Sequence, residues 1–179
     1  MEREKSIKSN NSGLSILELI VVLAIMAVVS GIFILSTSFA TDKQVTSCAE
    51  RIASSLEQTR SLCLGKQSGE ITISKLTGDN VKAQMKIDNV NYGDLVSIGH
   101  QGLTVNVIYC TSYTDKDNYV ANTTSVLSSE TIKFSRNSGS VKNPPVNTSV
   151  IVFQVTNGRR TINVCLDTFT GRVTTERVS

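Results

Sequence analysis

From Leu19 to Leu35 the chain runs through 17 residues without a charge, and the stretch from Leu14 counts 22 if the single carboxylate at Glu18 is included. At about 1.5 Å of rise per residue, either length is predicted to cross a hydrocarbon core of roughly 30 Å as a helix, the shorter with some thinning. Beyond it the pattern stays helical but becomes one-sided. Val45, Cys48, Ile52, Leu56 and Cys63, with Ala49 and Ala53 beside them, draw one stripe at helical spacing, while Glu50, Arg51, Glu57 and Arg60 occupy other faces. No proline interrupts, and Gly65 is a reasonable stop. The pattern therefore predicts one long helix from Leu14 to about Gly65, its first half embedded in a membrane and its second half packed on the chain's own globular part.

After Glu70 the period drops to two. Ile71 to Ser74, Val81 to Ile87, Leu103 to Tyr109, Ile132 to Phe134 and Ile151 to Val155 alternate apolar and polar, as half-buried strands do. Asn157-Gly158 is a hairpin signal joining the last of these to Thr161–Leu166, and a short strand follows at Val173 to Thr175. Thr111 to Ser129 is polar and weakly periodic and reads as a long surface loop, and Asn143-Pro144-Pro145 is a second break. A long helix followed by antiparallel strands is an α+β plan, one helix packed on an antiparallel sheet. The stretch beyond Gly65 suffices for a single modest core.

The amino terminus carries the most specific motif. Gly13 is followed by Leu14, Ser15, Ile16, Leu17 and Glu18, behind a short leader holding Arg3, Lys5 and Lys8 against Glu2 and Glu4. A carboxylate inside an apolar helix costs roughly 2.5–3.5 kcal/mol on membrane-insertion scales and marks a functional site by default. If the chain is cut after Gly13, the new Leu14 amine lies four residues before Glu18, on the same helical face. This arrangement resembles the amino terminus of type IV prepilins and pseudopilins, in which a basic leader ends in Gly ahead of an apolar residue, a Ser or Thr, two aliphatics and a Glu. Leu14 stands where that family most often has Phe. The resemblance implies a pilin-like fold, cleavage after Gly13 and methylation of Leu14 by a prepilin peptidase, and an assembly role for Glu18. It also implies sister pilins or pseudopilins as partners, and indirectly an assembly platform and ATPase. The resulting division is a leader at 1–13, a transmembrane and assembly helix at 14–35, its extracytoplasmic continuation at 36–65 and a β-rich head at 66–179. Basic residues flanking a membrane segment stay cytoplasmic, so the reading is single-pass in the cytoplasmic membrane with the head outside. More loosely, Ile132 to Phe134, Gly139, the basic turn Gly158-Arg159-Arg160 and Gly171-Arg172-Val173 are similar to the H-type minor pseudopilins of type II secretion and related minor pilins.

Composition changes this picture little. The net charge of +3 is modest, but residues 131–179 concentrate Lys133, Arg136, Lys142, Arg159, Arg160, Arg172 and Arg177 against Asp167 and Glu176. Arg159, Arg160, Arg172 and Arg177 form a candidate face for an anionic ligand. Without aromatic interleaving or a nucleic-acid motif, a solvated basic face is favoured over DNA binding. Cys48 and Cys63 lie on the apolar stripe and read as buried thiols. Cys110 and Cys165 fall on the more polar phase of their strands and are the candidate disulfide. No zinc set, CxxC spacing, phosphate loop, nucleophile elbow or paired-carboxylate motif is present, His100 is the lone histidine, and no cofactor is expected. The reading is a non-enzymatic structural subunit, a minor pilin or pseudopilin of a type IV pilus, type II secretion or competence filament. The alternative is a membrane-tethered protein that binds DNA or another anionic ligand through the basic face.

Overall fold

A computed structural model describes residues 15–64, 68–75, 80–99 and 102–178, and of 32–39 the backbone alone. Among the described residues, helical backbone spans Ile16–Cys63 (α1), followed by nine strands: β1 (Gly69–Lys75), β2 (Val81–Ile87), β3 (Val90–Ser97), β4 (Thr104–Tyr113), β5 (Tyr119–Val126), β6 (Ser129–Phe134), β7 (Val150–Thr156), β8 (Thr161–Asp167) and β9 (Val173–Val178). The chain divides into two compact units, Met1–Phe39 and Ala40–Ser179. Two helical stretches, 16–31 and 40–63, belong to different units.

The expectation of a single long helix, membrane-embedded in its first half and packed on one sheet, is corrected here. Among the described residues no helix is long and apolar enough to cross a membrane. The 16–31 stretch would rise only about 24 Å, short of a hydrocarbon core of roughly 30 Å. The 40–63 stretch carries Asp42, Lys43, Glu50, Arg51, Glu57 and Arg60. The single-pass topology and the membrane location of the subunit rested on that span and are withdrawn with it. The described strands also form two sheets rather than one.

Among the described residues every strand pairing is antiparallel. One sheet has the order β3-β2-β1-β6 and the other β5-β4-β7-β8-β9. The chain makes three strands of the first sheet, two of the second, returns for β6, and finishes with β7 to β9. The alternation seen in the sequence sets which face is covered. Ile71 and Ile73 of β1, Ile132 and Phe134 of β6, Val105 and Val107 of β4, Ile151, Phe153 and Val155 of β7, and Ile162, Val164 and Leu166 of β8 are all buried in one core. The helix adds Val45, Cys48, Ala49, Ile52, Leu56 and Cys63 to the same core, the stripe read from sequence. Period two on the strands and spacings of three and four on the helix thus converge on one apolar interior.

The opposite face of the second sheet has its own small apolar cluster, Ile108, Cys110, Val150, Val152 and Cys165, with Tyr113 packed against it. One step along, Asn106, Gln154 and Asn163 run across β4, β7 and β8 as a row of side-chain amides, with contacts of 3.3 and 3.4 Å. The Tyr113 hydroxyl donates to the Glu176 carboxylate at 2.6 Å.

The segment predicted as a loop, Thr111 to Ser129, is corrected. It holds the end of β4, a short turn at Asp115–Asn118, and all of β5. Every residue of β5 is exposed, as is every residue of β3. Both are edge strands with no covered face to impose alternation, and bulges interrupt the pairing of each with its neighbour. The Asn157-Gly158 hairpin forms as predicted, with Gly158 at φ 82°. Gly65 and His100 lie outside the described residues.

Candidate functional site

The first helical stretch starts with a capped end. The Oγ of Ser15 accepts a hydrogen bond from the Leu17 N–H at 3.2 Å, and its carbonyl accepts the Leu19 N–H at 3.1 Å. Ser15 is therefore the N-cap, and Glu18 stands at the third helical position, the Ser-x-x-Glu spacing of a capping box. Glu18 lies in the first turn and is exposed. A carboxylate there opposes the partial positive charge of the helix start, an effect of about 0.3–1 kcal/mol at an exposed end. Sequence reasoning gave Glu18 an assembly role and overlooked this local one, although Ser15 three residues earlier was the available signal.

Around Glu18 the helix surface is greasy on all sides. Ile16, Leu17, Leu19, Ile20, Leu23, Ile25, Met26, Val28 and Val29 are each exposed by half or more of their surface. They occupy every face of the cylinder, and a helix apolar all round is one that ends covered. Gly13 and Leu14, the expected cleavage and methylation positions, lie outside the described residues.

The four arginines of the candidate anionic face do not gather in one place. Arg159 and Arg160 sit in the turn between β7 and β8, where Asn157 Oδ1 accepts both of their backbone N–H groups at 3.0 and 2.8 Å. Arg177 pairs with Ile162 near that same end of β8. Arg172 is at the opposite end, just before β9, roughly 20 Å away by strand rise.

All four cysteines are buried free thiols. Burial pushes the Cys48 thiol up to about 12, with Arg51 partly opposing. Cys110 and Cys165 share the outer cluster of the second sheet. Cys110 pairs with Val150 and Cys165 with Val152, so β7 lies between their strands. Burial pushes Cys165 up to about 11 and raises Cys110 as well. Among the described residues no group of three or more His, Cys, Asp or Glu could hold a metal ion.

Residues 8–34, the stretch with the capped apolar helix start, match the family model described as "Prokaryotic N-terminal methylation motif". The chain carries a prepilin-type motif. The motif is consistent with the broad prepilin and pseudopilin family and chooses no subtype. No curated protein and no solved structure matches the chain. The methylation motif and the α+β fold are consistent with a processed, non-enzymatic structural protein.

Proposed function

We propose that this protein is a minor pilin or pseudopilin, cut after Gly13, methylated on Leu14, and assembled into a filament of the type IV pilus, type II secretion or competence kind. The observation that carries the reading is the methylation motif at 8–34 coinciding with a helix that exposes apolar side chains on every face and holds one carboxylate, Glu18, in its first turn. Sister subunits supply the cover those side chains lack. An assembly platform and an ATPase are the machinery such a subunit requires.

Glu18 then has two tasks. In a single subunit it favours the helix start. In the filament the Leu14 amine of an incoming subunit meets Glu18 of its neighbour, and both charges are relieved among aliphatic side chains, where the attraction is strongest. A register slip leaves each group unpaired, so the pair selects one axial position.

The test is incorporation. Glu18→Ala should leave cleavage after Gly13 intact and reduce crosslinking to sister subunits and recovery in sheared filaments by about tenfold or more, the equivalent of roughly 1.4 kcal/mol. Glu18→Gln should fall between the two or match Ala. Wild-type recovery of both variants would remove the assembly role.

A further inference from the structure

Three of the cations concentrated in residues 131–179, Lys133, Arg136 and Lys142, line one cleft. On the outer face of the first sheet, Glu70 pairs across β1 with Lys86 of β2 and Lys133 of β6, at 3.6 and 3.2 Å. After β6 the chain loops back on itself. Ser135 N–H donates to the Ser140 carbonyl at 2.7 Å, Phe134 bridges Val141, and Lys142 N–H donates to the Lys133 carbonyl at 2.6 Å. This closed loop returns Lys142 to the side of Lys133 and carries Arg136 between them. The three cations line a cleft of about 450 Å³, with Ser68, Asn89 and Asn137 as neutral polar groups on its wall.

We propose that this cleft binds an anionic saccharide unit, a sugar carrying a carboxylate. The volume is in the range of small-ligand sites and many times that of a single oxyanion. Lys133 is already engaged with Glu70, whereas the Arg136 and Lys142 side chains have no partner among the described residues, so they are the charges available to a ligand carboxylate. The Glu70 carboxylate, fixed by two lysines, keeps lone pairs that accept hydroxyl protons, which a sugar supplies and an ionised polyphosphate lacks. Serine and asparagine side chains can both give and take hydrogen bonds with sugar hydroxyls. The one aromatic residue on the wall, Phe134, is buried in the core and offers no ring for stacking a base, which disfavours nucleic acid.

Calorimetric titration of the full chain at physiological salt tests this with three probes: trigalacturonate, neutral maltotriose and tripolyphosphate. Trigalacturonate should bind saturably, and at least about tenfold more tightly than either of the others. The double variant Arg136→Ala with Lys142→Ala should weaken it by about tenfold or more. Lys43→Ala with Lys116→Ala, which removes equal charge away from the cleft, should change it less than about twofold. Circular dichroism confirms that both double variants are folded; if the cleft variant is not, Arg136→Gln alone must show the loss. Absence of saturable trigalacturonate binding, equal binding of maltotriose, tighter binding of tripolyphosphate, or wild-type affinity in the cleft variants would each overturn the assignment.

Discussion

Gly171 and Gly139 meet at the side chain of Arg60, and the contact leaves room for neither a methyl group nor another backbone choice. Both have positive φ, 66° and 69°. A Cβ on Gly171 would collide with the backbone carbonyl of Gly139, and the Arg60 Nε donates to the Thr170 carbonyl at 3.2 Å beside them. Gly171→Ala should therefore destabilise the head by about 2 kcal/mol or more, read as a lowered denaturation midpoint. Cysteine chemistry gives a second prediction at this scale. With β7 between them and a two-residue offset along it, the Cα atoms of Cys110 and Cys165 stand roughly 12 Å apart, outside the usual disulfide range. Peptide mapping without reductant should find both thiols alkylatable after unfolding; a peptide linking 110 to 165 would contradict the sheet register. A third concerns pH. The folded Cys48 thiol titrates near 12 and the unfolded one near 9.0, so above the lower value the unfolded chain holds fewer protons. Stability contributed by the neutral thiol is complete below pH 9 and is lost progressively as pH rises toward 12. Cys48→Ala should flatten that decline in a pH series of melts.

At the scale of elements, the helix stripe was legible because one face is covered and the others are not. Val45, Cys48, Ile52 and Leu56 are essentially without exposure, and their spacing alone predicts it. Ile52→Ala should cost about 2–5 kcal/mol, checked by denaturant titration, because the site is enclosed by helix and both sheets. The strands with one covered face were equally legible. The edge strands β3 and β5 were not, since their sequences satisfy backbone pairing without hiding any side chain, and the pattern that reveals a strand comes from hiding. The start of the first helical stretch was half legible: the motif pointed to Glu18, while the cap at Ser15 went unread. Ser15→Ala should weaken that helix start by about 1 kcal/mol, visible as faster amide exchange at Leu17 and Leu19.

The whole molecule has a division of labour between its two units. Ala40–Ser179 is self-sufficient, with an apolar interior closed by the 40–63 helix and two sheets. Met1–Phe39 contains the methylation motif and a helical stretch whose apolar side chains are left uncovered. Length misled the reading of that stretch: a count of uncharged residues passes the threshold for a span, yet no described helix does. The basic residues are distributed by the fold rather than by sequence order. Sequence proximity grouped four arginines that β8 holds at opposite ends, while the return of the loop after β6, a tertiary event, built the cleft around Lys133, Arg136 and Lys142. What remained readable throughout was the amino-terminal motif, because its meaning lies in residue order rather than in folding.

The central claim is that this order is read by a peptidase. Glycine at position 13 offers no side chain to obstruct close approach of the enzyme to the backbone. Intact mass and N-terminal sequencing of the native protein, from cells that contain a prepilin peptidase, measure the outcome directly. The account predicts a chain beginning at Leu14, carrying a methyl group on its amine, and a Gly13→Leu variant that keeps residues 1–13. A native chain that begins at Met1 in those cells would contradict it.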